Sequence, residues 1–342
     1  MAKEVILTGV RSNAELTLGN LLGAILPLVR LQQQYSGEYQ INAFMPDLHS
    51  ITTPTNYEQL FYRTIDTLRF FEAAGLKLDD PNTLIYRQSY IPAHSELTWI
   101  LDSFIYYGEL SRMTQFKEKS QGQKSVSASL FNYPALMAAD ILLYDASYVP
   151  VGEDQRQHLE LTREVAMRMN SRFGNLFVIP KAWDEQVKFN KTGVRIRSLK
   201  NPQFKMSKSI SDPSGTILLL DNPKEASNKI LAATTDSLGN VNYDFKNQPG
   251  ISNLLQIIAT IKNQPIEEIA QYWKGETSYS KLKQAAAELV ESVLVEIQTN
   301  LKLFSRDEAI SVLAKHEFKV RDIANMKLAS VQSSVGLRLK NS

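Results

Sequence analysis

A short apolar run at residues 5–8 leads through Thr17-Leu18-Gly19-Asn20 into a helix-like segment over residues 21–34. This strand–turn–helix opening limits the fold more than any other feature of the chain. The glycine lets a ligand approach the backbone, and the first N–H groups of a helix are free to bind phosphate. Within the helical segment Leu21, Leu22, Ile25, Leu28, Val29 and Leu31 recur at helical spacing, and Pro27 predicts a kink or a restart. The alternation continues downstream. Residues 41–45 read as a second strand ended by Pro46-Asp47, and residues 57–74 as an amphipathic helix closed by Gly75. Residues 83–86 read as a third strand, and residues 149–151, followed by Gly152, as another. Strands alternating with helices imply an α/β fold, a doubly wound parallel sheet with ligands at the carboxyl ends of its strands. Leu7-Thr8-Gly9, Asp47-Leu48-His49 and Gly152-Glu153-Asp154 all fall at such ends.

Past residue 212 the strand signals fade. Residues 223–234, 253–262 and 280–304 read as helices, and in the last Leu282, Ala286, Leu289, Val293, Ile297, Leu301 and Phe304 mark a buried face. The expected organisation is a catalytic domain over 1–211 and a mostly helical domain over 212–342, its last helices packing back on the first. A chain of 342 residues has length enough for two domains. It has no cysteine, which excludes disulfides, thiolate zinc sites, cysteine-ligated iron–sulfur clusters and a cysteine nucleophile. The start Met1-Ala2-Lys3-Glu4 does not resemble a signal peptide, and no run of about 18 apolar residues could span a bilayer. A cytoplasmic protein without membrane contact is expected. The net charge of +2 neither demands nor excludes nucleic acid.

A second segment, Lys205-Met206-Ser207-Lys208-Ser209, puts two ammonium groups and two hydroxyls on a loop flanked by Pro202, Pro213 and Gly215. With the Thr17–Asn20 turn it suggests a polyphosphate held between two parts of one site. Asp140 is a lone carboxylate in the apolar run Met137-Ala138-Ala139-Asp140-Ile141-Leu142-Leu143-Tyr144. It reads either as a partly exposed residue or local cap, or as an acceptor waiting for a donor on an apolar ligand. The polar run from Gly152 to His158 reads as a solvated helix start or as a ligand site, in which Asp154 holds a ribose and Gln155 an amino-acid head group. His49, His94, His158 and His316 lack metal-ligand spacing, and His49 stands apart because it follows a strand end. Glu118 and Lys119 read as a solvated face. The last 28 residues carry six Lys and Arg against two acidic residues, a net +4 that suits either solvent or a nucleic-acid backbone.

Taken together, these segments resemble a known family. Thr17-Leu18-Gly19-Asn20 looks like the tryptophan-type variant of the first signature of class I aminoacyl-tRNA synthetases, and residues 205–209 match the second. The blocks at residues 113–120, 137–144, 149–155 and 249–255 resemble bacterial tryptophanyl-tRNA synthetases specifically. The resemblance runs from about residue 5 to the C-terminus. It departs from the family pattern between residues 9 and 14, where Ser12 and Ala14 replace a proline and a glycine while Arg11 keeps an allowed identity. Without that glycine the turn must avoid φ > 0 or accept strain. Leu7 stands where the family often has an aromatic ring.

The resemblance implies a Rossmann-type catalytic domain, a helical anticodon-side domain, a homodimer, and a reaction joining L-tryptophan to ATP before transfer to tRNA(Trp). Magnesium accompanies ATP, and no metal ligated by the protein is implied. Thr17, Asn20, Lys205 and Lys208 carry the catalytic expectation. Arg11, Asn13, Gly19, Asn20, Gly152, Glu153, Asp154, Ile196, Lys205, Met206, Ser207, Lys208 and Ser209 are expected around ATP. Leu7, His49, Tyr133, Met137, Asp140, Ile141, Val149, Val151 and Gln155 are expected around tryptophan, with Asp140 accepting the indole N–H. The tyrosine-specific synthetases, which also present a buried Asp, are the nearest alternative. Another nucleotidyl-transferring enzyme of this fold and a non-catalytic paralogue are the others.

Overall fold

The computed structural model describes residues 3–12, 14–122, 125–190, 194–207 and 212–339. Strand β1 (Val5–Gly9) leads through the Thr17 turn to helix α1 (Leu26–Tyr35). Strand β2 (Gln40–Met45), helix α2 (Tyr57–Ala73) and strand β3 (Thr83–Arg87) follow. Helices α3 (Ala93–Asp102) and α4 (Ala128–Leu142) precede strand β4 (Ala146–Tyr148) and helix α5 (Arg156–Phe173). The helical remainder includes α6 (Pro223–Leu231), α7 (Pro249–Lys262), α8 (Tyr279–Leu301) and α9 (Arg306–Ser334). The sheet is parallel, in the order β3-β2-β1-β4. Strand order reverses between β1 and β4, so a crevice is expected at their carboxyl ends.

Strand alternation sorts the core into two halves. Ile6, Ile41, Ala43 and Ile85 face a cluster built with α1, α2, α7 and α8. Leu7, Phe44, Leu84 and Tyr86 face another, built with α3, α4, α5 and part of α9. Both faces are covered, and the first cluster runs without a break from the sheet to Leu255 and Leu294 in the C-terminal helices.

Several expected boundaries move. The fourth strand is Ala146–Tyr148 and not 149–151. Pro150 has no N–H to give a ladder, and the Val149 N–H donates to Gln186 Oε1 (2.8 Å). The buried line of α8 runs through Leu282, Ala286, Val290, Leu294 and Ile297, with Leu289 and Val293 only partly buried beside it. Pro27 does mark a change of winding. A wide turn over Leu21–Ile25, closed by the Leu26 N–H on the Leu21 carbonyl, gives way to α-helix from Leu26. In that turn a Cβ on Gly23 would lie 2.7 Å from the Val194 carbonyl oxygen, so only glycine lets the two backbones meet.

The basic residues near the C-terminus do not form a tail. Most of them lie on α9, whose buried face includes Leu313, Glu317, Val320, Ala324 and Leu328. Lys327 is bound to Asp145 (2.7 Å). Apolar periodicity does not reveal this helix, because a buried Glu317 interrupts its core face and exposed Phe318 and Met326 crowd its outer one. The helix covers β3 and supplies acceptors to it. His316 Nδ1 accepts from the Ile85 N–H (3.2 Å) and donates from Nε2 to the Leu78 carbonyl (3.0 Å). Glu317 Oε1 accepts from the Arg87 N–H (3.1 Å). Its carboxylate also grips the buried Arg87 guanidinium through Nε (2.6 Å) and Nη2 (2.7 Å), and that guanidinium lies on the Tyr90 ring.

Removing one member of this pair strands a buried charge. Glu317→Ala should therefore destabilise the fold by about 3–5 kcal/mol, whereas Arg87→Leu with Glu317→Leu should recover much of the loss. Urea melts of both variants check this. Equal destabilisation of the single and double variants would contradict it.

Candidate functional site

The Thr17–Asn20 segment closes on itself. Thr17 Oγ1 accepts from the Asn20 N–H (3.2 Å), and Asn20 Oδ1 accepts from the Thr17 N–H and hydroxyl (2.9 Å each). This reciprocal cap fixes the start of the helical turn Leu18–Asn20, which runs on through Leu21–Ile25 into α1. It also commits the Asn20 oxygen, so Asn20 can serve a ligand through its Nδ2 donor. The second signature lies against the first. The Met206 N–H donates to the Ile196 carbonyl (3.0 Å), making a short antiparallel pair around Arg197 and Lys205. A Cβ on Gly19 would lie 3.6 Å from Met206 Cβ and 3.7 Å from Ile196 Cβ. Residues after 212 complete the arrangement. The Leu18 N–H donates to the Ile217 carbonyl (2.8 Å) and the Leu219 N–H to the Leu16 carbonyl (2.9 Å). Met206 and Ile196 are buried, Ser207 is partly buried and Lys205 is exposed. Asn13, Lys208 and Ser209 lie outside the described residues.

The turn between residues 9 and 16 is held without the family's proline. Ser12 is fully buried, and its hydroxyl pairs with that of Thr64 on α2 (2.9 Å). Among the described residues only Asp145 and Asn263 combine a side chain with a positive φ, so Ala14 avoids the strain that loss of glycine threatened.

A second group forms on α4, where Tyr133, Met137, Asp140 and Ile141 share one face at helical spacing. Ile141, Leu7 and Val149 belong to the second core half, with Met137 and Val151 packed against it. Asp140 is neither partly exposed nor a local cap, since it is 1% exposed. Its Oδ1 accepts from Gln88 Nε2 (2.7 Å) and His94 Nδ1 (2.6 Å), and its Oδ2 from His49 Nε2 (2.8 Å). Burial alone would push this carboxyl up, but the bonds from His49 and His94 outweigh burial and hold it below the usual range. The far nitrogen of His94 meets the Tyr144 hydroxyl (2.8 Å). His49 packs edge-on to Tyr133.

From Tyr133 the site becomes cationic. The Tyr133 hydroxyl lies 2.8 Å from His158 Nε2 and 3.2 Å from Gln115 Oε1. Burial pushes this phenol up to about 12. Burial, then the nearby Lys119 ammonium, push His158 down to about 4, so the imidazole is neutral at physiological pH. Lys119 is not on a solvated face. It donates to Gln115 Oε1 (2.7 Å), and its amine lies 5.1 Å from the Tyr133 ring centre. Burial and then Arg11 lower its pKa. Arg11, itself partly buried, has Tyr133 and Asp154 as its charge neighbours. Asp154 accepts from Gln115 Nε2 (2.8 Å) and Gln155 Nε2 (2.9 Å), so one of the two amide N–H groups of Gln155 is engaged. A Cβ on Gly152 would lie 2.7 Å from Asp154 Oδ1. Glu153 is exposed and pairs with Arg156 (3.5 Å).

The expected residues therefore gather into two groups joined by the 9–17 loop, one at the helix start and one at the α4 face. Gln88, His94, Tyr144, Gln115 and His158 are members that sequence reasoning does not single out. Among the described residues no group of three or more His, Asp or Glu is arranged to hold a metal ion.

Known proteins resemble this chain over nearly its whole length. The family model described as "tRNA synthetases class I (W and Y)" matches residues 2–295. A tryptophan–tRNA ligase of Caldanaerobacter subterraneus subsp. tengcongensis is 43% identical, with 98% of this chain and 99% of that protein covered. Another, of Clostridium tetani, is 40% identical, with 98% and 97% covered. Among solved structures, tryptophanyl-tRNA synthetase of Mycoplasma pneumoniae superposes with a TM-score of 0.85 at 33% identity, covering 98% of each chain. The Campylobacter jejuni enzyme, complexed with ADP and tryptophan, gives 0.75 at 28% identity, covering 97% of this chain and 99% of that one. The two signatures in contact, the parallel sheet whose order reverses between β1 and β4, and near full-length similarity agree: the chain belongs to the class I tRNA synthetases of the W and Y family.

Proposed function

We propose that this protein is a tryptophan–tRNA ligase, activating L-tryptophan with ATP and transferring it to tRNA(Trp). One observation carries the choice of amino acid: relatives named for tryptophan match nearly the whole chain at 43% and 40% identity. A buried carboxylate, held anionic, sits on α4 among the buried apolar side chains of the second core half. Indole nitrogen is a donor only, so a fixed acceptor at that depth suits it and penalises a side chain with no donor.

In the reaction a carboxylate oxygen of tryptophan attacks the α-phosphorus of ATP. The bond to the bridging oxygen breaks and pyrophosphate leaves with the electron pair. No covalent enzyme intermediate is required, so positioning and charge stabilisation do the work. Thr17, Gly19, Asn20 and Arg11 are assigned to the phosphates, Gly152, Asp154 and Ile196 to the adenosine, and Lys205 with Lys208 to the departing pyrophosphate. Asn13, Glu153, Met206, Ser207 and Ser209 are assigned to the same nucleotide. His49, Tyr133, Met137, Ile141, Val149, Val151 and Leu7 are assigned to the indole pocket, and Gln155 to the amino-acid head group. Magnesium enters as the counter-ion of ATP. The helical part from residue 212 is assigned to the anticodon side of tRNA, and the aromatic stretch with Tyr106 and Tyr107, 60% and 77% exposed, to a homodimer contact in a cytoplasmic enzyme. Met113, in the same stretch, is buried and belongs to the core.

Three measurements test this. ATP–pyrophosphate exchange should depend on tryptophan and not tyrosine, and Asp140→Asn should lower kcat/KM for tryptophan by about 10- to 100-fold with little change in KM for ATP. Exchange driven by tyrosine would overturn the substrate assignment. In single-turnover kinetics, Lys205→Ala should slow adenylate formation more than it weakens ATP binding. A raised KM for ATP at unchanged maximal rate would mean that Lys205 binds ground and transition states alike. Light scattering at micromolar protein should give the mass of a dimer, and a monomeric mass that persists on concentration would remove the homodimer.

A further inference from the structure

The donors around Asp140 are divided unequally between its two oxygens. Oδ1 takes both Gln88 and His94, while Oδ2 takes His49 alone. An ionised carboxylate has about four lone-pair positions, so the vacant one lies on Oδ2. The two donors on Oδ1 are themselves held. Gln88, fully buried just after β3, has its amide oxygen engaged by the His49 N–H (3.4 Å). His94, fully buried on α3, is held at its other nitrogen by the Tyr144 hydroxyl (2.8 Å). Tyr144 lies one turn beyond Asp140 on the same chain segment and packs its ring on Tyr86 and His94.

We infer that Gln88, His94 and Tyr144 are positioning residues for indole recognition: by saturating Oδ1 and fixing the carboxylate plane, they leave Oδ2 as the single acceptor for a ligand N–H. The inference rests on the tryptophan reading of the pocket. An unheld carboxylate could rotate about χ2 or turn an oxygen to a tyrosine-like hydroxyl, and fixing the plane beforehand removes that reorganisation from binding. The group reaches Asp140 from two other elements, so its effect on selectivity is separable from the apolar packing of α4. None of the three residues touches the substrate in this account. Each acts through Asp140.

The test uses the full-length protein and two substrates, tryptophan and β-(3-benzothienyl)alanine, in which sulfur replaces the indole N–H. Pyrophosphate exchange gives kcat/KM for each, and their ratio reads the N–H contact alone. Tyr144→Phe keeps the ring and removes the hydroxyl that holds His94, and Gln88→Leu removes one Oδ1 donor. Both should lower the tryptophan-to-analogue ratio by about tenfold, mainly through KM for tryptophan, with KM for ATP unchanged. A loss of packing would depress both substrates together and leave the ratio unmoved. Such a constant ratio in both variants, with Asp140→Ala abolishing the preference, overturns the positioning role and spares the pocket. A parental ratio in Asp140→Ala, which has no acceptor, overturns the pocket reading and this inference with it. Should Gln88→Leu fail to fold by thermal melting, the isosteric Tyr144→Phe decides.

Discussion

The Asp140 carboxylate cannot be compensated from within its own helix. Its neighbours on α4 include Ala138, Ala139, Ile141 and Leu142, all buried and none with a side-chain donor. An unpaired charge at that depth would cost several kcal/mol, so the donors must come from elsewhere. They come from the short helix after β2, which carries His49, from the end of β3, which carries Gln88, and from α3, which carries His94. Satisfying one charge thus ties the carboxyl ends of two strands to two flanking helices. That is where a parallel sheet offers its crevice, and it makes the pocket wall rigid before any ligand arrives.

The other half of the site depends on backbone and not on charge. The first signature is stitched to the segment after residue 212 through Leu16, Leu18, Ile217 and Leu219. Gly19 rests against Met206 and Ile196. Segments almost two hundred residues apart therefore share one scaffold. The lysine paired with Arg197 across this hairpin, Lys205, stays exposed while its neighbour Met206 is buried. An anchored hairpin with an exposed cation suits a group that must meet charge as it develops.

Much of this was legible in the sequence, for physical reasons. Strands of a sheet covered on both faces are continuous apolar runs, so β1, β2 and β3 stand out, and the Thr17 cap and Gly75 are local signals read from a few residues. The fourth strand is three residues long, too short for any pattern to separate it from the Val149–Val151 segment that follows. Asp140 was visible as an anomaly in an apolar run, but its state was not, because partners at His49, Gln88 and His94 are fixed only by tertiary packing. Lys119 reads as solvated from its charged neighbours and is turned inward by Tyr133 and Gln115. Helix α9 hides because a buried Glu317 breaks the apolar rhythm, and the reason for burying it is Arg87, 230 residues earlier.

That separation bears on how the chain reaches its fold during synthesis. Strand β3 is an edge of the sheet, and its N–H groups at Ile85 and Arg87 find acceptors on α9. Until α9 leaves the ribosome, the growing chain presents an open edge of the kind that pairs with other chains. The loop that must close is long, yet lengthening a loop adds little entropy cost beyond the first tens of residues, so the contact is slow to find more than it is expensive to hold. Helix α9 acts as the latch of a sheet made long before it, and a chain stopped ahead of that helix would carry an uncovered edge and an Arg87 without its counter-charge.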